Sequence, residues 1–318
     1  MRIIHISDPH LSSLANMRFS DLRGKRLLGY QSWYRKRRHQ YQTGTLHQVT
    51  AAIAAERADL VIVTGDLVHI GLDSELREAR RWLDELGSSA DVLVVPGNHD
   101  CYHQESWALV RQHYQPYLGV AAGALGLEAD LDLAAGADPA HAYPLLRRVG
   151  DISVIAASSA IPAPWGAASG TLGASQRDRL RAMLEAERQQ LRILALHHPP
   201  LPGMAATRKA LTDAKELEAL LAATRPDITL HGHLHRNQTR ATAQGRIFCT
   251  APPSSVRHRA PASYRVFEIH SENPGWRVTM TLKSLIGGQI QQIEETGWIT
   301  GAGEASLHPG ESHDAGAK

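Results

Sequence analysis

The chain has only two cysteines among its 318 residues, Cys101 and Cys249, and they lie far apart in the sequence. This excludes a disulfide-rich scaffold and a zinc site built from cysteine pairs. No apolar run approaches the roughly 18–20 residues that span a bilayer, and the N-terminus lacks the apolar stretch of a secretory signal. Aromatic residues make up only 5% of the chain, so the core must be aliphatic. We therefore expect a globular cytoplasmic protein, with attachment to the inner membrane face left open.

Two features stand out against this ordinary background. The chain contains 18 histidines, and its net charge of +2 hides an uneven distribution. Residues 18–42 carry eight Lys or Arg and one Asp, so the rest of the chain is acidic on balance.

Apolar segments alternate between strand-like and helix-like spacing along most of the chain. This alternation predicts an α/β fold with a parallel or mixed sheet and helices on its faces. The predicted strands are 2–7, 59–64, 91–95, 151–157, 191–196, 227–231 and 246–250, followed by a hairpin of 263–270 and 276–283. The predicted helices are 45–57, 74–86, 174–190 and 213–223.

We expect one domain over residues 1–296. Residues 119–142 are rich in Ala, Gly and Asp and predict a variable surface loop. Residues 297–318 are rich in Gly, Ala, Ser and His and predict a disordered tail.

Polar side chains of the types that bind metals follow five of the predicted strands. In open α/β sheets, the carboxyl ends of the strands form the ligand-binding edge. Five separate segments would thus deliver carboxylate, imidazole and amide groups to one place: Asp8 and His10, Asp66, Asn98 and His99, His197, and His233 with His235. Imidazole and oxygen donors without thiolate suit Mn, Fe, Zn or Co. The donors exceed the needs of one ion and suit two divalent ions that share a bridging ligand.

These segments, in this order, resemble the calcineurin-like metallophosphoesterase signature. The matching blocks are Asp8-Pro9-His10, Gly65-Asp66, Gly97-Asn98-His99-Asp100, His197 and Gly232-His233-Leu234-His235. The resemblance covers roughly residues 1–270 and implies a four-layer α/β/β/α sandwich with two mixed sheets facing each other.

The resemblance also implies roles for the individual side chains. Asp8, His10 and His235 would hold one metal, while Asn98, His197 and His233 would hold the other. Asp66 would bridge the two ions. His99 would face the phosphate as the catalytic residue, a role that suits imidazole because its pKa lies near neutral pH. Asp100 would support this loop from behind the ligands.

One position departs from the phosphatase branch of the family. That branch carries an Asp three residues after the Gly-Asp block, which supports the catalytic histidine, whereas this chain has His69. The Gly-Asp-Leu-Val-His form is similar to the bacterial class III cyclic-nucleotide phosphodiesterases. Asn98, His69 and His198 are candidate substrate contacts.

The basic segment 18–42 follows the first metal-binding block directly and should overhang the site. If it is helical after Lys25, it places Leu27, Tyr30 and Tyr34 on one face. Three interpretations stay open: an insertion packed on its own domain, a dock for an anionic membrane or a lipid substrate through residues 22–42, and a contact with a nucleotide or nucleic acid, of which the nucleic acid is the less favoured. The segment also supplies three candidate substrate contacts, Arg35, Arg37 and Arg38.

The predicted function is hydrolysis of a small phosphodiester or pyrophosphate by a hydroxide activated at two metals. One alternative is a soluble cyclic-nucleotide phosphodiesterase. Another is a peripheral-membrane enzyme similar to the UDP-2,3-diacylglucosamine pyrophosphatases of lipid A synthesis, which carry a similar basic, Trp-containing insert and act on a lipid-linked diphosphate. A metal-binding scaffold without turnover is the third. The identity of the metals and the oligomeric state stay open.

Overall fold

A computed structural model describes residues 1–11, 14, 17–118, 120–121, 142–243 and 245–301 of the chain. Within these ranges the α-helices are α1 Lys25–Arg35, α2 Thr43–Ala55, α3 Asp73–Leu86, α4 Ser106–Tyr114, α5 Ala174–Ala186 and α6 Ala214–Thr224. The strands of the first half are β1 Arg2–Ile6, β2 Leu60–Val63, β3 Val92–Val94, β4 Val120–Ala121, β5 Leu145–Val149 and β6 Ile152–Ala156. Those of the second half are β7 Leu191–Ala195, β8 Ile228–His231, β9 Gln238–Thr242, β10 Gly245–Cys249, β11 Val256–Arg257, β12 Ala260–Pro261, β13 Ser263–Ser271, β14 Trp276–Ile286 and β15 Gln289–Thr300.

Two large mixed sheets organise the chain, as predicted. One has six strands in the order β15-β14-β13-β1-β2-β3, and the other has seven in the order β4-β5-β6-β7-β8-β10-β9. Strands β1, β2 and β3 run parallel, as do β6, β7, β8 and β10, so the carboxyl ends within each group share one edge. Antiparallel strands flank each parallel group.

The sheets pack face to face because alternate residues of their strands point to opposite sides. In β7, Ile193 and Ala195 join the core shared with the first sheet, whereas Leu194 belongs to a second core formed with α5 and α6. Phe248 of the second sheet meets Phe267 of the first edge-on, with ring centroids 5.2 Å apart. Helices α2 and α3 cover the outer face of the first sheet, completing the four-layer sandwich.

The predicted helices and strands match the observed ones with end shifts of a few residues. Helix α5 is shorter than predicted, because it ends at Ala186 rather than residue 190. The predicted hairpin is confirmed as β13 and β14.

The predicted tail began too early. Strand β15 continues to Thr300, and Gly297 pairs with Thr279 of β14, so residues 297–300 are strand rather than tail. This edge strand is largely exposed and mostly polar, so its sequence lacks the apolar run from which a strand could be predicted. Residues 302–318 lie outside the described residues, as do 119 and 122–141 of the predicted loop 119–142, while 120–121 form β4.

Candidate metal centre and active-site cleft

The candidate ligands converge in the loops that follow the parallel strands of both sheets. Five of these residues have a left-handed backbone, with φ between 44° and 67°: Asp8, His10, Asp66, His233 and His235. Non-glycine residues seldom adopt this conformation, and it concentrates at functional sites where surrounding contacts impose it. The chain thus accepts local strain in order to turn these side chains toward one point.

One group of potential ligands contains Asp8, His10, Asp66 and His235, each offering an atom within 4.8 Å of the others. The Nε2 atom of His235 lies 3.0 Å from Oδ1 of Asp8 and 3.4 Å from Nε2 of His10. The two loops that carry this group are held together by their backbones, since the N–H of Asp8 donates to Gly65 and that of His10 to Asp66.

A second group contains Asp66, His197 and His233, so Asp66 belongs to both. The Nε2 atom of His197 is 3.3 Å from Oδ2 of Asp66, 3.2 Å from Oδ1 of Asn98 and 3.2 Å from Nδ1 of His233. Asn98 therefore faces the same point with its amide oxygen. The sharing of Asp66 is the arrangement expected of two ions with one bridging carboxylate.

The chemistry of these atoms fits cations. His10 and His197 each direct Nδ1 at a backbone carbonyl, Val68 at 3.0 Å and Thr64 at 2.7 Å, and a carbonyl can only accept. This leaves Nε2 of each ring facing the nitrogen and oxygen atoms of the other candidate ligands. The buried Nε2 of His233 has no hydrogen-bond partner among the described residues. A bound divalent ion would satisfy atoms that converge in this way.

The electrostatics also favour positive charge at this point. Burial alone would raise the pKa of Asp66, but His197 and His99 hold it well below its usual range. Burial likewise opposes the charged form of His197, yet the Asp66 carboxylate outweighs it and raises the pKa of His197 to about 9. A cation between these groups, either a proton or a metal ion, stabilises the buried carboxylate.

Asp100 ties the loops together from behind. Its carboxylate accepts the backbone N–H groups of Asp66 at 2.8 Å, Leu67 at 2.9 Å and Gly97 at 2.8 Å. Burial and the nearby Asp66 raise its pKa to about 7. The residue thus contacts the backbone that carries Asp66 and Asn98 rather than their side chains.

Glycine is required where these two loops cross. Gly65 has φ +84°, and a Cβ placed on it would lie 2.3 Å from the nitrogen of Gly97. Any side chain there would force the loops apart and separate Asp66 from Asn98.

His99 is supported by a backbone carbonyl rather than by a carboxylate. The ring Nδ1 of His99 lies 2.5 Å from the carbonyl oxygen of His69 and must donate to it. The backbone N–H of His99 donates to Oδ1 of Asp66 at 2.7 Å. The Arg37 guanidinium lies 3.2 Å from the same Nδ1. Burial, reinforced by Arg37, lowers the pKa of His99 to about 3.

Glu75 fixes the segment that supplies this carbonyl. It is buried at the start of α3, and its carboxylate accepts the N–H groups of His69, Ile70 and Leu72 at 2.9–3.1 Å. The His69 ring itself stacks on His10, with centroids 5.1 Å apart. The backbone carbonyl of His69 thus contacts His99 at the position where the phosphatase branch has an Asp side chain.

A cleft of about 200 Å³ opens onto the cluster. Four cationic side chains line it: Lys25, Arg37, Arg208 and Lys209. Asp66 is the one carboxylate among its lining residues in the described ranges, and Asn98, His99, His233 and His235 complete its polar floor. The cationic walls favour an anionic ligand.

The other candidate substrate contacts fare differently. His198 does not line the cleft: its Nδ1 lies 2.8 Å from Ser159 Oγ, its Nε2 lies 3.2 Å from the carbonyl of Ala168, and its fully buried ring packs against His233. Arg35 is exposed at the end of α1 and does not line the cleft. Arg38 and His69 line a second cavity beside His10. Of the predicted contacts, only Asn98 and Arg37 line the cleft.

Helix α1 of the basic segment packs on the domain through Gly29 and Trp33, its buried residues. Trp33 joins a small core with Ile70, Leu72 and Tyr102. Leu27 and Tyr34, two of the three residues that the sequence placed on one face, are 54% and 49% exposed. Within the described ranges, no helix has the length and apolar character needed to cross a bilayer.

Several functional candidates escaped the sequence analysis. The Tyr41 hydroxyl lies 2.6 Å from Nδ1 of His235 and thereby orients that ring. Arg208 and Lys209 reach the cleft from a short 3₁₀ turn that lies outside every block of the signature. Nothing in their local sequence distinguishes them from ordinary surface cations, since only the folding of that loop brings them to the site.

Comparison with known proteins agrees with this geometry. A sequence model described as calcineurin-like phosphoesterase matches residues 1–237, which include every candidate ligand. The chain belongs to the calcineurin-like phosphoesterase family. It is a phosphoester hydrolase of that family, and the alternative of a metal-binding scaffold without turnover is therefore rejected.

Two curated relatives have related activities in their names. The chain is 25% identical over 302 residues to the 3′,5′-cyclic adenosine monophosphate phosphodiesterase CpdA of Haemophilus influenzae, an alignment that covers 93% of this chain and 91% of the relative. It is 28% identical over 200 residues to a probable cyclic nucleotide phosphodiesterase of Rhodococcus erythropolis, covering 61% and 58% of the two chains. Neither relative supports the lipid A pyrophosphatase alternative.

Solved structures confirm the fold. A dimetal phosphatase from Danio rerio superimposes with a TM-score of 0.59 at 14% identity, covering 95% of this chain and 99% of that one. A purple acid phosphatase from Lupinus luteus gives a TM-score of 0.53 at 12% identity, covering 92% of this chain and 52% of that one.

Proposed function

We propose that the enzyme hydrolyses a cyclic nucleotide to a nucleoside monophosphate at two divalent metal ions. The observation that carries this proposal is the cationic cleft that opens directly onto two ligand groups sharing Asp66. The four cationic side chains of its lining suit the negative charge of a small phosphodiester. The names of the two curated relatives support the same substrate class.

Asp8, His10 and His235 would hold one ion and Asn98, His197 and His233 the other, with Asp66 between them. When bound, a pair of divalent ions activates water as a nucleophile and neutralises charge on the phosphoryl group. The donor set suits Mn, Fe, Zn or Co. The protein's own contribution is to fix these side chains through the Val68 and Thr64 carbonyls, which set the imidazole tautomers.

His99 and Arg37 act on the substrate rather than on the ions. The His69 carbonyl holds Nδ1 of His99 as a donor, which leaves Nε2 for the phosphoryl group or the leaving oxygen. Arg37 adds fixed positive charge beside this ring. The arriving phosphate anion would offset the effect of Arg37 and favour a proton on Nε2 at the moment when the leaving oxygen needs one.

The test compares hydrolysis of 3′,5′-cyclic AMP, 3′,5′-cyclic GMP and a diacylated UDP-sugar by the metal-loaded protein. We expect turnover of a cyclic nucleotide and a loss of about 10²–10⁴ in kcat for His99→Asn, with bound metal unchanged. His47→Asn, an exposed histidine on α2, is the matched control and should retain wild-type activity. Turnover of the UDP-sugar alone would overturn the proposed substrate class.

We further propose that a set of exposed apolar side chains of the basic segment, with Trp165, rests on an anionic membrane. Phe19 and Trp165 are 90% and 68% exposed, and Leu27 and Leu28 of the basic helix are also exposed. Exposed apolar side chains among basic residues are typical of surfaces that lie on anionic lipid. Co-sedimentation with phosphatidylglycerol vesicles, lost in a Phe19→Ser/Leu27→Ser variant, would support this role, and equal sedimentation with neutral vesicles would argue against it. A cytoplasmic location stays a prediction.

A further inference from the structure

A second cavity, of about 260 Å³, lies beside His10 and His69, which are among its lining residues. The basic segment contributes Trp33, Arg38 and Tyr41 to its lining, and the start of α2 contributes Gln42 and Thr43. The remaining lining residues are Leu11, Leu46 and Ser254. No role proposed above uses this cavity.

Hydrogen-bond donors and positive charge dominate its walls. The first backbone bond of α2 runs from Leu46 to Gln42, so the N–H groups at the start of this 13-residue helix precede the helical ladder. No side chain caps them, and the first turn contains no acidic residue. Arg38 supplies a full positive charge, while none of the lining residues in the described ranges is a carboxylate. A helix start with these neighbours attracts anions.

Ser254 provides an independent sign that a ligand belongs here. The residue is 1% exposed, and its buried hydroxyl has no hydrogen-bond partner among the described residues. Its backbone is fixed, because its carbonyl accepts the N–H of Gln42 at 2.9 Å. A buried hydroxyl left without a partner destabilises the fold, and a polar ligand in the cavity would satisfy it.

We propose that this cavity is a second anion site, built for a phosphate group and separate from the metal centre. Arg38, the hydroxyl of Ser254 and the amides at the start of α2 would hold the oxygens. The phosphate can come from two sources, free inorganic phosphate or a second phosphate on a substrate whose diester lies at the metals. The inference goes beyond the proposed function and does not depend on cyclic nucleotides being the substrate.

The test counts phosphate bound to the metal-loaded protein by equilibrium dialysis with radiolabelled inorganic phosphate. We expect two sites per chain in the wild type, one at the metals and one in the cavity. Arg38→Gln should weaken the second site by at least about tenfold, because it removes the charge that assists the hydrogen bonds. Ser254→Ala, which is small enough to keep the fold, should weaken the same site. Arg35→Gln is the matched control, since Arg35 is a nearby exposed cation that does not line the cavity.

Dialysis of the dinucleotide ApA and its 5′-phosphorylated form pApA separates the two sources. Tighter binding of pApA that disappears in Arg38→Gln assigns the cavity to a substrate phosphate, whereas equal binding of the two assigns it to free phosphate. A single phosphate per chain in the wild type, or a second one that survives both substitutions, would overturn the proposal. Cyclic-nucleotide turnover measured on the same samples reports on the proposed function separately.

Discussion

Replacing Asp100 by asparagine tests whether the loops behind the ligands set the geometry of the metal centre. One carboxylate oxygen accepts the N–H groups of Asp66 and Gly97, both at 2.8 Å, and the other accepts that of Leu67 at 2.9 Å. The asparagine oxygen can keep the first pair, but its NH₂ group would then face the N–H of Leu67. One buried donor loses its acceptor, which costs about 1–3 kcal/mol of unfolding free energy.

The same change should weaken metal binding by about 10–100-fold, the usual effect of removing a group that orients metal ligands. The measurements are urea unfolding of the metal-free protein and a competition titration with a coloured chelator. Asp213→Asn is the matched control. Asp213 is also a buried carboxylate that accepts backbone N–H groups, from Leu172 and Gly173, but it lies in the other helical layer. We expect this control to lose stability and keep its metal affinity.

The reasoning is refuted if Asp100→Asn and Asp213→Asn destabilise the protein alike and neither changes metal affinity. Asp100 would then be an ordinary structural carboxylate. An unchanged free energy of unfolding for Asp100→Asn would contradict the assigned hydrogen bonds themselves.

Three further substitutions probe separate parts of the account. Gly65→Ala should prevent the close approach to Gly97 and abolish metal binding, which metal analysis of the purified variant would detect; normal metal content would contradict the steric argument. Tyr41→Phe removes the 2.6 Å contact with His235 and should lower metal affinity about tenfold in the chelator titration, with little change in melting temperature. Trp33→Ala leaves a cavity in the small core under α1 and should lower the free energy of unfolding by about 3–5 kcal/mol, measured with urea. An unchanged free energy of unfolding would show that the basic segment does not pack on the domain.

The candidate ligands could be predicted from the sequence because each lies in the loop that follows a parallel strand. The end of a strand places such a loop at one edge of the sheet, so Asp8, Asp66 and His197 needed no knowledge of distant contacts. The apolar alternation predicted both sheets for the same reason, since it records which faces are buried.

What escaped prediction depends on contacts between distant segments. Tyr41 reaches His235 across 194 residues of sequence, and Lys209 enters the cleft from a loop without a distinctive pattern. For α1, the apolar spacing placed Leu27 and Tyr34 on one face without showing whether that face packs, and the close approach of Gly29 to Ile70 and Tyr102 could not be seen in it. His198 is the next residue after His197 and has the same side chain, yet it contacts Ser159 and Ala168 instead of the candidate ligand atoms, which only the folded loop shows.

The most direct test of the central claim is the number of Mn²⁺ ions bound per chain, measured by equilibrium dialysis and plasma mass spectrometry. The shared position of Asp66 predicts two ions in the wild type and no more than one in Asp66→Ala, because the bridge serves both groups. A wild-type chain that binds one ion or none, or an Asp66→Ala variant that still binds two, would contradict the account.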